Sequence, residues 1–110
     1  MLALFALAAA HCTTINLAEA KWFALRASEV RAAVGERPAV EVDETRPSGW
    51  MLRVYDSRSC PPACSPSRLL AWFGVDTTTM EAVDVEGESV MADRGLERAQ
   101  HALRRRHCGV

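Results

Sequence analysis

The chain has 110 residues, room for one domain, and its 49% hydrophobic and 25% charged residues exclude a disordered or fibrous polypeptide. A formal net charge of −1 at pH 7 excludes the global basic field that holds nucleic acid. The charge is nonetheless uneven. Asp76, Glu81, Asp84, Glu86 and Glu88 form an acidic stretch, while Arg94, Arg98, Arg104, Arg105 and Arg106 stand against the single acid Glu97 near the end. Such asymmetry suits internal pairing or a polar interface.

In chain order, Leu2 to Ala10 is an unbroken apolar run. It is too short to cross a bilayer, which takes roughly 20 residues, but it fits the apolar core of a signal peptide. Ala18-Glu19-Ala20 supplies a small-x-small cleavage site. Residues 1–20 therefore read as a leader and 21–110 as the mature domain, periplasmic or secreted, with no membrane span in the mature chain. Ala10-His11-Cys12 resembles a lipoprotein attachment site, with His11 where a small residue belongs. A retained helix is the competing use of the same residues.

Asn16 with Glu19 is a capping box, and Gly35 is a ready C-terminal stop. Ala20, Phe23, Ala27, Val30 and Val34 recur between them at helical spacing, which predicts one amphipathic helix. The period then changes to two. Val40 and Val42 alternate with Glu41 and Asp43 in a short strand, Arg46-Pro47-Ser48-Gly49 is turn chemistry, and Trp50, Leu52 and Val54 share one face of a second strand. Asp56 to Ser67 is a loop rich in proline, serine and cysteine. Leu69 to Val75 predicts a third strand and Met80 to Val85 a fourth. Ala92, Leu96, Ala99 and Leu103 then mark a last helix that begins at Asp93 or later, with Gly109 as its cap. The order predicts an α+β single small domain: N-terminal helix, four-stranded antiparallel sheet, C-terminal helix, with the helices covering one sheet face.

Chemistry-bearing residues are few. Cys12 falls in the leader, which leaves Cys60, Cys64 and Cys108. A local Cys60–Cys64 disulfide pinning the loop is the expected pairing, and a bridge from Cys108 to either one is the alternative. Cys60, Cys64, His107 and Cys108 would suit zinc by type, but the adjacency of His107 and Cys108 does not help a tetrahedral set. His101 and His107 lie on an arginine-rich face, no nucleophile elbow surrounds the loop serines, and no glycine-rich phosphate cradle exists. No catalytic residue, metal or cofactor is assigned. Arg104-Arg105-Arg106 complements a helix dipole and lacks interleaved aromatics, so no nucleic acid is expected. Trp72 and Phe73 are adjacent in one strand and must face opposite sides, so a sheet covered on one face leaves Trp72 or Phe73 exposed as an interface anchor.

The helix to Gly35, the strand Trp50 to Tyr55, and Ala71-Trp72-Phe73-Gly74-Val75-Asp76-Thr77-Thr78-Thr79-Met80-Glu81-Ala82-Val83 together resemble a PepSY-type domain, or more loosely a cystatin-like helix on a sheet. The resemblance covers roughly residues 17–85. It departs at Met80, where such hairpins carry glycine, and in the cysteine loop. It implies an exported, non-catalytic domain that binds or restrains another protein, often a hydrolase.

The sequence thus points to a binding module acting on a protein partner, an inhibitor or immunity-type protein, with Trp72, Glu81, Asp84 and Glu86 as contact residues. The alternatives are an accessory structural protein of an envelope assembly and a small hydrolase or zinc-binding domain.

Overall fold

The computed structural model describes residues 12–33, 37–56, 69–86 and 89–109. Helix α1 (Leu17–Ala24) opens on the expected capping box: Asn16 Oδ1 accepts from the Glu19 N–H at 2.8 Å, and Glu19 Oε1 accepts from the Asn16 N–H at 3.0 Å. Two of the four orphan donors of the helix start are thereby satisfied within one turn.

The helix does not run on to Gly35. It stops at Ala24, the chain passes through an extended Ala27, and a separate turn of helix, α2, covers Ser28–Arg31. The cause is tertiary. Asp93, the N-cap of the last helix, accepts from the Ser28 N–H at 3.2 and 3.1 Å, from the Ser28 hydroxyl at 3.1 Å, and from its own helix at Leu96 N–H, 2.9 Å. One carboxylate therefore caps two helices, and a continuous helix through Ala27 would turn the Ser28 N–H inward, away from it.

Four strands follow: β1 (Pro38–Arg46), β2 (Gly49–Asp56), β3 (Leu69–Asp76) and β4 (Ala82–Val83). They form one antiparallel sheet in the order β1-β2-β3-β4. β1 is longer than the Val40–Val42 alternation predicts, and β4 is shorter than Met80 to Val85, extended only by a bridge between Val83 and Val90. The Arg46 to Gly49 turn closes β1 onto β2 as expected. Gly49 is obligatory there, because a Cβ would run into the Val75 carbonyl oxygen of β3.

Helix α3 (Arg94–Cys108) ends at Gly109, which takes the left-handed φ of 68° that an αL cap requires. Its Leu96, Ala99 and Leu103 join Phe23, Ala24 and Val30 of α1 and α2 over one sheet face. From the sheet, Val54 and Ala71, Leu52 and Phe73, and Val75 and Ala82 meet them as registered pairs. Phe23 and Phe73 touch edge to face at 6.4 Å between centroids, and each ring so buried contributes about 1.5–3 kcal/mol through burial alone. The expected α+β architecture, helices on one face of an antiparallel sheet, is what the chain forms.

The N-terminal segment belongs to this fold. Cys12 is disulfide-bonded to Cys108, the Thr13 N–H donates to the His107 carbonyl at 2.9 Å, Ile15 is buried, and its N–H donates to the Thr77 carbonyl at 3.1 Å. This corrects the alternative bridge from Cys108 to Cys60 or Cys64. The segment at Cys12 lies against the end of α3, and Cys108 is taken by Cys12. It also removes Cys108 from the Cys60, Cys64, His107, Cys108 zinc set. The expected Cys60–Cys64 pair lies outside the described residues.

Candidate functional site

Three surfaces carry chemistry. The first is the sheet face opposite the one that α1, α2 and α3 cover, on which Met51 is buried and Trp72 is exposed. Register places Glu41, Arg53 and Trp72 side by side across β1, β2 and β3, with Glu44, Met51, Gly74 and Val83 in the next row. Phe73 goes into the core and Trp72 stays outside, 40% exposed. The alternation of a pleated strand dictates this split, and the sequence anticipates it.

The Trp72 indole is held rather than loose. A shift of register between Val42 and Glu44 marks a bulge at Asp43. There Asp43 Oδ2 accepts from Trp72 Nε1 at 3.1 Å, and Oδ1 pairs with Arg53 at 2.9 Å. The Arg53 guanidinium lies 5.2 Å from the Trp72 ring centroid and reaches Glu41 at 3.8 Å. Aromatic, cation and two carboxylates form one preset cluster, worth little as exposed ion pairs but effective at fixing the ring. A bulge is a common way to re-aim a strand side chain toward a site.

The other predicted contact residues are not gathered around Trp72. Glu81 sits in the turn before β4, with its carbonyl accepting from Asp76. Asp84 and Glu86 lie beyond the other end of that strand, Glu86 exposed. Among the described residues neither Arg98 nor Arg105 forms an ion pair, and Arg104 donates instead to the Thr79 carbonyl at 3.4 Å, so the last helix does not neutralise the acidic stretch. The acids tied to Trp72, directly or through Arg53, are Asp43 and Glu41 of β1, with Glu44 in the next row. Their outward alternation is visible in sequence, but only the three-strand register brings them to Trp72.

The second surface is the clasp between the N-terminal segment and the end of α3. Glu19 Oε2 accepts from His107 Nε2 at 2.7 Å and from Arg106 at 3.2 Å, and the Thr13 hydroxyl meets His107 Nδ1 at 2.6 Å. Burial pushes the Glu19 carboxyl up, but hydrogen bonds from His107, the Asn16 backbone and Arg106, with the charge of His107, hold it below its ordinary value. A cleft of about 660 Å³ opens beside it, bordered by Asn16, Trp22, Leu103 and His107. The line hydroxyl–imidazole–carboxylate has the composition of a nucleophile, a base and its orienting group. Each of its residues also has a structural duty, in the capping box or in the tie between Thr13 and the end of α3.

The third surface is a groove between α1, α2 and α3 lined by arginines. Sequence reasoning assigned no groove there, because its arginines come from segments more than sixty residues apart. Among the described residues no group of three or more His, Cys, Asp or Glu could hold a metal ion, and no helix is long and apolar enough to cross a membrane.

Compared with models of protein families, with curated proteins and with solved structures, the chain matches none.

Proposed function

We propose that the chain is an exported, non-catalytic module that binds a protein partner through the sheet face that carries Trp72, in the manner of an inhibitor or immunity-type protein. The observation that carries this is Trp72: a large ring left 40% exposed, fixed on both sides by Asp43 and Arg53, on the sheet face opposite α1, α2 and α3. Rigid aromatic anchors ringed by polar groups are the residues that dominate protein interfaces. Glu41, Asp43 and Glu44 outnumber Arg46 and Arg53 there, so the partner surface that fits is basic.

Export fits the Cys12–Cys108 bridge, since disulfides persist in oxidising compartments. A cut after Ala20 would strip away Cys12, Ile15, the capping box and buried Ala20. The processing site compatible with the fold therefore lies before Cys12, at the end of the apolar run.

The test is a photo-crosslinking residue at position 72 in the producing cell, with a second at exposed position 105. An adduct specific to position 72, with a partner that is basic at the crosslinked peptide, and its loss on Asp43→Ala at unchanged melting temperature, is the expected result. Adducts of equal yield at both positions, or none at 72, overturn the proposal.

The Thr13–His107–Glu19 line favours an alternative reading, a small hydrolase with Thr13 as nucleophile. It requires turnover of an activated ester such as p-nitrophenyl acetate that disappears in Thr13→Ala and His107→Ala. Turnover equal to that of buffer ends it.

A further inference from the structure

On the helical side of the molecule, away from Trp72, the packing of α1, α2 and α3 leaves a groove of about 570 Å³. Trp22 of α1, Arg26 of the turn after it, Arg31 of α2, and Arg94, Arg98 and Ala99 of α3 line it. Four guanidinium groups thus border one concavity in a chain whose net charge is −1, and no carboxylate is among the lining residues.

The arginines are not there to be neutralised internally. Among the described residues Arg31, Arg94 and Arg98 form no ion pair. The acid next to Arg94, Asp93, borders the groove at Ser28 and has its oxygens engaged there and at the Leu96 N–H, forming no ion pair with the arginines among the described residues. Arg26 lies over the Trp22 ring at 4.9 Å, which holds that guanidinium at the groove by a cation–π contact. Like charges gathered in one concavity repel, and the arrangement becomes favourable only when a ligand supplies negative charge. Guanidinium forks match phosphoryl oxygens two at a time, and a phosphoryl group carries about 1.5–2 negative charges near neutral pH. Trp22, 37% exposed, and the small side chains of Ala32, Ala99 and Ala102 give the same groove an apolar wall.

We propose that this groove is a binding site for a ligand bearing two or more phosphoryl charges, with Arg31, Arg94 and Arg98 as its anion contacts and Trp22 as the wall for an apolar part. It is independent of the Trp72 face. Phosphoryl groups come from soluble molecules or from lipid headgroups, and the groove is open enough for either.

The experiment uses the whole chain with inorganic pyrophosphate in calorimetric titration, and with vesicles of phosphatidylcholine carrying phosphatidic acid in co-sedimentation. Saturable one-site binding of pyrophosphate is expected, weakened at least tenfold in the double variant R94E/R98E and less than twofold in R105E, an equal local charge reversal outside the groove. Arg31→Glu, on the short exposed α2, gives the same loss should the double variant fail to fold. Vesicle binding displaced by pyrophosphate, and lost in the same variants, assigns the phosphoryl group to lipid. Pyrophosphate binding without vesicle binding assigns it to a soluble ligand. Absence of both, equal losses in R105E, or equally tight binding of citrate overturns the site.

Discussion

Met80 is the residue at which local and tertiary demands conflict most. It has φ of 60°, a conformation that costs a non-glycine residue about 1–2 kcal/mol, yet its side chain is fully buried. The Asp76 carboxylate accepts from the Thr78 and Thr79 N–H groups at 2.8 Å and so winds the turn that forces this φ. Where the resembled hairpins place glycine, this chain accepts strain in exchange for a buried thioether. Deleting a buried methionine side chain costs about 2–5 kcal/mol, more than the relief of strain returns. Met80→Gly should therefore lower stability by about 1–3 kcal/mol in denaturant titration, and a gain in stability would refute this account. Glu19 makes a different prediction. Its folded carboxyl titrates below its ordinary value, so its contribution is complete above about pH 4.5 and is lost as pH falls through the lower folded value. Glu19→Gln should melt lower than the parent at pH 7, and the two melting temperatures should converge in the acid range.

Among the elements, the junction of α1, α2 and α3 carries the clearest consequence. Asp93 terminates two helices, each such cap being worth about 0.5–2 kcal/mol. Asp93→Ala should cost more than an ordinary cap, about 2–3 kcal/mol, whereas Asn16→Ala at the exposed start of α1 should cost about 1 kcal/mol. Equal losses in the two variants would show that Ser28 does not depend on Asp93. Gly95→Ala should be worse than either, because a Cβ there would run into the Arg26 carbonyl oxygen. This junction explains what the periodicity from Ala20 to Val34 could not reveal. Helical spacing is preserved across the break at Ala27, since both short helices bury Phe23 and Val30 against the same core, and the interrupting partner lies 65 residues away. The strands were easier. Alternation puts Leu52 and Val54 on one face and separates Trp72 from Phe73, and the burial of Phe73 settles which of the two faces outward. The bulge at Asp43, which fixes the Trp72 ring, has no such signature in the sequence. The acidic outer row of β1 has a second use, since charge along an edge strand discourages pairing with another sheet.

For the whole molecule, the decisive pairing joins Cys12 to Cys108, 96 residues apart. In the chain-entropy account a loop of that length contributes about 4–5 kcal/mol by restricting the unfolded state. Reduction, or Cys12→Ser, should lower the denaturation midpoint accordingly while the sheet signal in circular dichroism persists; no change on reduction would argue that the two thiols are unpaired. Apolar run, small-x-small site and capping box overlap in the first twenty residues, and composition alone cannot rank a leader against a folded strap. In the folded chain Ile15 is buried and Thr13 is tied to His107, so the segment from Cys12 onward packs against the body.

That bridge also makes the folded body a closed covalent ring. A pulling force applied through the first and last residues, as across a tethered envelope, is carried by the sulfur–sulfur bond and never reaches the strand ladders. Stretched from its ends in a single-molecule trap, the oxidised protein should lengthen only by the segments outside the ring. The reduced protein should release the enclosed 96-residue span as well, about 330 Å at the contour length of an extended chain.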